Sequence, residues 1–230
     1  MLSSFKRFLH SWGERKRRAD YERRKHMSYA EIESVINRRY AKIFGREIDW
    51  DNPQTYNEKI HVSKVYMPTP EKTRLADKYL VREWIRGKVG EQYLIPLLGV
   101  YDSFDEIDFD SLPEQFVIKC NHDSGSITLV KDKSNLDFEA LKQKYDRALL
   151  HNFAYMGFEM HYRDIKPKII IEQYMGNSIS DYKFQCFCGE PYCCRIDYDR
   201  FGDHRRNVYD MNWKLLPFMK GQYADRKSVV

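Results

Sequence analysis

Three short apolar runs, separated by one tight loop and one amphipathic stretch, constrain this chain more than any other feature. QFVIKC (115–120) and ITLV (127–130) have strand length and are joined by a small polar loop. Phe138 to Leu150 keeps helical spacing, and KIIIEQY (168–174) follows Pro167. The predicted order is strand, loop, strand, helix, strand. IPLLGVY (95–101) reads as a further strand in front of the series. Behind it, YKFQCFC (182–188) and YCCRIDY (192–198) flank Gly189, Glu190 and Pro191, which predicts an antiparallel hairpin, and NVYDMNWKLL is a candidate third strand. The first third is helical instead. Ser28 with Glu31 and Thr55 with Glu58 are capping boxes, and Tyr29, Ile32, Val35, Ile36, Tyr40 and Ile43 hold helical spacing until Gly45. A third helix is expected over Leu75 to Arg86, ending near Gly87 and Gly90. The pattern is that of an α+β protein.

Chemistry concentrates where the first of these runs ends. The pleat of QFVIKC sends Phe116, Ile118 and Cys120 to one face and Val117, Lys119 and Asn121 to the other. The loop Asn121, His122, Asp123, Ser124, Gly125, Ser126 follows, and its small residues leave backbone N–H groups free to approach an anion. A lysine beside such a loop supplies the point charge that phosphate binding uses. Taken alone, a lysine at a strand end is more often just solvated, and a histidine beside such a loop, here His122, is more often a structural hydrogen-bonding group than a general base. No G-x-x-x-x-G-K-[ST] and no G-x-G-x-x-G occurs, so P-loop and Rossmann readings drop out.

The ordered set of ADKYLVREWIRGKVGEQYLIPLLGVYDSFDEIDFDSLPEQFVIKCNHDSGS, KPKIIIEQYM and DYKFQCFCGEP resembles the ATP-grasp superfamily, in its TupA-like branch named for teichuronopeptide biosynthesis. The resemblance runs from about Thr55 to Phe218. It implies an ATP-grasp fold, two α+β subdomains with nucleotide between two antiparallel sheets, and ATP with magnesium as cofactors. It implies that Lys78 and Lys119 contact ATP phosphates, with Asn121, His122, Ser124, Gly125 and Ser126 in the loop over them. Glu172, Gln173 and Tyr174 would read adenine between walls from Ile118 and Ile170. Asp181 and Lys183 would lie near ribose and phosphates, and Lys119, Lys183 and Arg200 would act on the reacting groups. The implied organisation is a basic N-terminal helix (1–26), a helical region leading into the unit (27–110), a first subdomain with the phosphate loop (111–174), and the start of a second (175–230). The activity implied is ATP-dependent joining of a carboxylate to an amine or similar nucleophile on a small-molecule or polymer acceptor, in cell-surface polysaccharide assembly.

Two departures from the family pattern stand out. The loop carries one glycine, Gly125, and an acidic residue, Asp123, beside the expected phosphates. The acidic segment with which relatives hold magnesium has no counterpart after Lys220, so the second subdomain is expected to be incomplete and no metal ligand is assigned. Two other readings stay open. One is a glycosyltransferase, in which Asp197 and Asp199 form a metal-binding D-x-D. The other is a non-catalytic ATP-binding module. Cys186, Cys188, Cys193 and Cys194 lack the usual C-x-x-C spacing of zinc sites, and Cys186 and Cys188 are expected as small buried residues. His204, Arg205 and Arg206 form either an anion-receiving cluster or a solvated loop.

Charge bears on location and partners. Through Lys25 the chain has nine basic and three acidic residues, a balance of +6, and since the whole chain is +5 the remainder sums to −1. Such a head, with Phe5, Leu9 and Trp12 at helical spacing, is a point of peripheral contact with an anionic inner membrane face or simply a solvated helix. The body lacks a concentration of basic and aromatic residues, so nucleic acid is not expected as a partner. Five cysteines, an odd number, and no apolar run after the basic head place the chain in the cytoplasm.

Overall fold

The computed structural model describes residues 18–176, 179–199 and 202–218. Residues 18–25 are helical (α1), while the rest of the expected 1–26 helix lies mostly outside the described residues. Helix α2 (Tyr29–Phe44) starts on the Ser28 capping box, in which Ser28 N–H donates to the Glu31 carboxylate at 2.8 Å, and stops at Gly45 with φ 72. Such a cap contributes about 1 kcal/mol. Helix α3 (Tyr56–Tyr66) repeats the device with Thr55 and Glu58. The Glu58 carboxylate also takes the Arg46 guanidinium, which pulls its pKa down to about 2 together with the N–H groups of Thr55 and Gln54. Ile32, Ile36, Tyr40, Val65 and Phe158 bury into one core, so the amphipathic stripe read from the sequence is the one that packs.

The single helix expected over Leu75 to Arg86 is two, α4 (Pro70–Ala76) and α5 (Val81–Val89). Asp77 is the reason. Its backbone turns extended at ψ 113, and its carboxylate accepts the N–H groups of Tyr79 at 2.8 Å and Leu80 at 3.2 Å. A short acidic side chain here offers the backbone an alternative to helical bonding. The break leaves Lys78 N–H pointing away from any helix, and it donates to Asn121 O at 3.1 Å.

Strands β1 (Leu97–Tyr101), β2 (Phe116–Cys120), β3 (Ile127–Val130) and β4 (Ile169–Gln173) form an antiparallel sheet in the order β1-β4-β2-β3. Helix α6 (Phe138–Leu149) covers one face with Leu141 and Tyr145, against Phe116, Ile118, Ile169 and Ile171. Each fully buried Ile or Phe contributes about 1.5–3 kcal/mol. Tyr145 ties helix to sheet by donating to Ile118 O at 2.9 Å. Helix α7 (Ala154–Gly157) follows.

After Tyr174 the chain enters a second unit. Its sheet is β5 (Asp181–Phe187), β6 (Glu190–Tyr198) and β7 (Arg205–Asp210), antiparallel in that order. The β5–β6 turn is Cys188 (φ 51) and Gly189 (φ 88), both left-handed, as a two-residue hairpin on twisted strands requires. Pro191 lies where β6 runs past β7, whose pairing starts at Cys193, so its missing N–H breaks no bond to β7. Cys186 and Cys188, expected as buried residues, are exposed, whereas Cys193 and Cys194 are buried. The turn carries Cys188 into solvent, and the register shift between Gln185 and Cys186 marks where the regular pleat of β5 ends.

Candidate functional site

Direct cross-strand partners share a sheet face, so register decides what surrounds Lys119. Val117 lies opposite Glu172 and Lys119 opposite Ile170, while Ile118 lies opposite Ile171 on the other side. Ile118 is therefore sealed beneath α6 and cannot wall the same slot as Ile170, because a one-residue step in a strand reverses the face. The open face carries Lys119 Nζ on Glu172 Oε2 at 2.6 Å, and Arg82 from α5 reaches the other carboxylate oxygen at 3.3 Å. Glu172 is 5 % exposed, so both cations are held by a carboxylate that water hardly reaches. Arg82 also donates to Ile95 O at 2.6 Å, which fixes its position beside β1.

Arg82 was not among the residues singled out from the sequence. Ninety residues separate it from Glu172, and nothing local in REWIRG marks it. Gln173 is exposed and its N–H donates to Pro96 O at 3.0 Å, while Tyr174 is half-buried.

The loop after β2 is braced from three sides. Asn121 is buried, its amide donating to Lys166 O at 3.0 Å and its Oδ1 accepting from Lys168 N–H at 2.7 Å. His122 is also buried, with Nδ1 near Asn121 Oδ1 at 3.2 Å and Nε2 at 3.1 Å from the carbonyls of Ala148 and His151. Its ring thus joins the loop to the end of α6. Ser126 donates to the Asp123 carboxylate at 2.6 Å and accepts Cys120 N–H at 3.1 Å, so Asp123 is engaged within its own loop. Lys78 Nζ donates to the carbonyls of Asn121 and Asp123, and burial lowers its pKa. Ser124 and Gly125 form the exposed tip, with Gly125 at φ 118, a conformation that L side chains rarely adopt. Among the described residues, the backbone N–H groups of His122, Asp123, Ser124 and Gly125 have no partner within the chain. The result is a braced loop with unengaged donors at its tip, one half-buried lysine beneath it and a second lysine on the adjoining strand.

The second unit has a separate charged face. Register places Asp181, Lys183, Arg195, Asp197 and Arg206 on one side of the three-stranded sheet, with Cys194, Ile196 and Tyr209 packed on the other. Asp197 is 2 % exposed. Lys183 reaches it at 3.1 Å, His204 Nε2 at 3.0 Å and Arg195 at 3.5 Å, and Arg206 hydrogen-bonds to it closely. Burial on its own would raise the pKa of Asp197, but the bonds from Arg206, His204 and Lys183 outweigh it and hold the carboxyl well below the usual range. Lys183 also binds Asp181 at 2.6 Å. A cation arriving at Asp197 would meet these positive groups first, while Asp199 accepts Asp203 N–H at 2.9 Å in the following loop. His204 and Arg206 are thus structural partners of a buried carboxylate and not a solvated loop. Arg200 lies outside the described residues.

Among the described residues, no group of three or more His, Cys, Asp or Glu side chains is placed to hold a metal ion. By themselves, the described residues do not bring together such a group of ligands for magnesium. No helix there is long and apolar enough to cross a membrane.

Helices with two antiparallel sheets make this an α+β protein, consistent with an ATP-grasp fold. The model of the TupA-like ATPgrasp family matches residues 58–229, and the chain belongs to that family. The family binds ATP, generally with magnesium. Comparisons with curated proteins and with solved structures gave no match.

Proposed function

We propose that the chain binds ATP with its phosphates at the 121–126 loop and uses it to activate a carboxylate for attack by an amine or similar nucleophile, in building a cell-surface polymer. The observation that supports this reading is the loop: four backbone N–H groups without partners, Lys78 holding its carbonyls and Lys119 beside it. Unpaired N–H groups and a cation are what a phosphate chain needs, since positioning and charge neutralisation dominate phosphoryl transfer.

In this reading a carboxylate oxygen attacks the γ-phosphorus and ADP leaves, giving an acyl phosphate. The amine then attacks the carbonyl carbon, and inorganic phosphate leaves with the electron pair. Lys119 exchanges Glu172 for phosphate oxygen when ATP binds, and Glu172, Gln173 and Tyr174 face the adenine edge. Lys183 is assigned to negative charge met by the second unit. The glycosyltransferase reading has less support, because Asp197 is already taken by cationic partners.

Calorimetry of ATP binding to the protein and to Lys119→Ala tests the assignment. A loss of tenfold or more, about 1.4 kcal/mol, is expected in the variant, and equal affinity in both would sink it. Release of phosphate that depends on an added carboxylate acceptor distinguishes the ligase from a module that binds ATP without turnover.

A further inference from the structure

Away from the ATP loop, a cavity of about 690 Å³ opens in the first unit between α1, α2 and the C-terminal end of α6. That volume lies within the range of small-molecule sites, roughly 300–1,000 Å³. Its lining contains four arginines, Arg18, Arg24, Arg39 and Arg147, against Asp20 and Glu22.

The two carboxylates are already occupied along their own helix, Asp20 by Arg23 and Arg24 and Glu22 by Lys25. Arg24 is fixed further by donating to Met156 O at 2.8 Å. Among the described residues, Arg18 and Arg39 make no ion pair. Arg39 sits in the middle of α2, so no helix terminus accounts for its charge. The floor is rigid: Tyr21 stacks on His151 with ring centres 3.9 Å apart, and the Tyr21 hydroxyl accepts Asn152 N–H at 2.6 Å. Burial lowers the His151 pKa, so that ring adds no positive charge at neutral pH. The wall is also apolar, with Leu150 84 % exposed and Met156 49 % exposed. A leucine so bare beside the guanidinium groups of Arg18 and Arg39 is the pattern expected of a site for a ligand that is charged at one end and greasy at the other.

We infer that this cavity binds a phosphate ester with an apolar portion, its phosphate on Arg18 and Arg39 and its apolar part against Leu150 and Met156. Planar guanidinium groups match phosphate oxygens in pairs, which favours a phosphate over a single carboxylate. The shared chemistry belongs to two sources, the headgroup of an anionic phospholipid and a soluble organic phosphate. This inference is independent of where ATP binds.

Calorimetry on the full chain with hexyl phosphate, with hexanol and with inorganic phosphate, plus flotation with phosphatidylcholine vesicles with and without phosphatidic acid, tests it. Hexyl phosphate is expected to bind more tightly than either hexanol or inorganic phosphate. Arg39→Glu should weaken it tenfold or more, the scale of a lost charged hydrogen bond, and Leu150→Asp should weaken it as well. Both positions are exposed, so both variants should fold, which circular dichroism checks. Lys119→Ala should bind hexyl phosphate as the parent does. Flotation only with phosphatidic acid, abolished by Arg39→Glu, assigns the lipid source, and binding confined to hexyl phosphate assigns the soluble one. Absence of binding in every arm, or affinity unchanged in Arg39→Glu, overturns the inference, as does inorganic phosphate binding as tightly as hexyl phosphate.

Discussion

Glu172 is the point at which the charges of the first unit meet, and separating it from Lys119 gives a result that can be computed in advance. At 2.6 Å and an effective dielectric of 20, the Lys119–Glu172 attraction is about 6 kcal/mol, and the Arg82–Glu172 attraction at 3.3 Å is about 5 kcal/mol. Much of this is returned as desolvation, because Glu172 is nearly buried and the Lys119 side chain is only 23 % exposed. Arg82 remains when Lys119 is removed, so Lys119→Met does not strand the carboxylate. The expected loss of stability is about 1–3 kcal/mol, below the roughly 3–5 kcal/mol for a wholly orphaned buried charge. Glu172→Gln instead leaves two cations facing one amide and should cost more. A double-mutant cycle of Lys119→Met and Glu172→Gln, read by urea unfolding, should give a coupling of about 1–3 kcal/mol. A coupling under about 0.5 kcal/mol would mean that Lys119 does not rest on Glu172 in solution, and the exchange of Glu172 for phosphate would then lose its starting point.

Asp77→Ala removes the acceptor of two N–H groups at the α4–α5 break, and should destabilise the protein by about 1–2 kcal/mol in a thermal melt, the scale of a lost helix cap. No measurable shift would show that the break is not held by Asp77. The pKa of His61 is lowered to about 4 by burial, with the Lys64 charge adding to it. Because the folded state favours the neutral ring, its contribution to stability is intact above the ordinary histidine value of about 6.5 and is lost as pH falls from there toward 4. An NMR titration of His61 with a midpoint near 6.5 would contradict this. At pH 8 a thiol reagent should label Cys186 and Cys188 quickly and spare Cys193, Cys194 and Cys120, whose thiol burial pushes up to about 11, until the protein unfolds. Rapid labelling of Cys120 would mean that β2 opens readily in the native state.

Capping boxes, the Gly45 stop, the alternation of β2 and the hairpin of the second unit were all legible in the chain itself. Each is a local code: a hydroxyl and a carboxylate three residues apart, or a side chain every second position, acts within one or two turns whatever lies elsewhere. The family could be read for a similar reason, since it rests on the order of such segments. The break at Asp77 was missed because a carboxylate that caps the next turn looks, in sequence, like any polar position on a helix. Ile118 was misplaced as a partner of Ile170 because facing sides depend on register, and register follows from β4 entering between β1 and β2, strands distant in the chain. That insertion brings Glu172 against Lys119 and under Arg82. Likewise, only the pairing of three strands gathers Lys183, Arg195 and Arg206 around Asp197. The residue types that carry charge are written in the sequence, but which charges meet is set by long-range pairing, and local pattern carries no information about it.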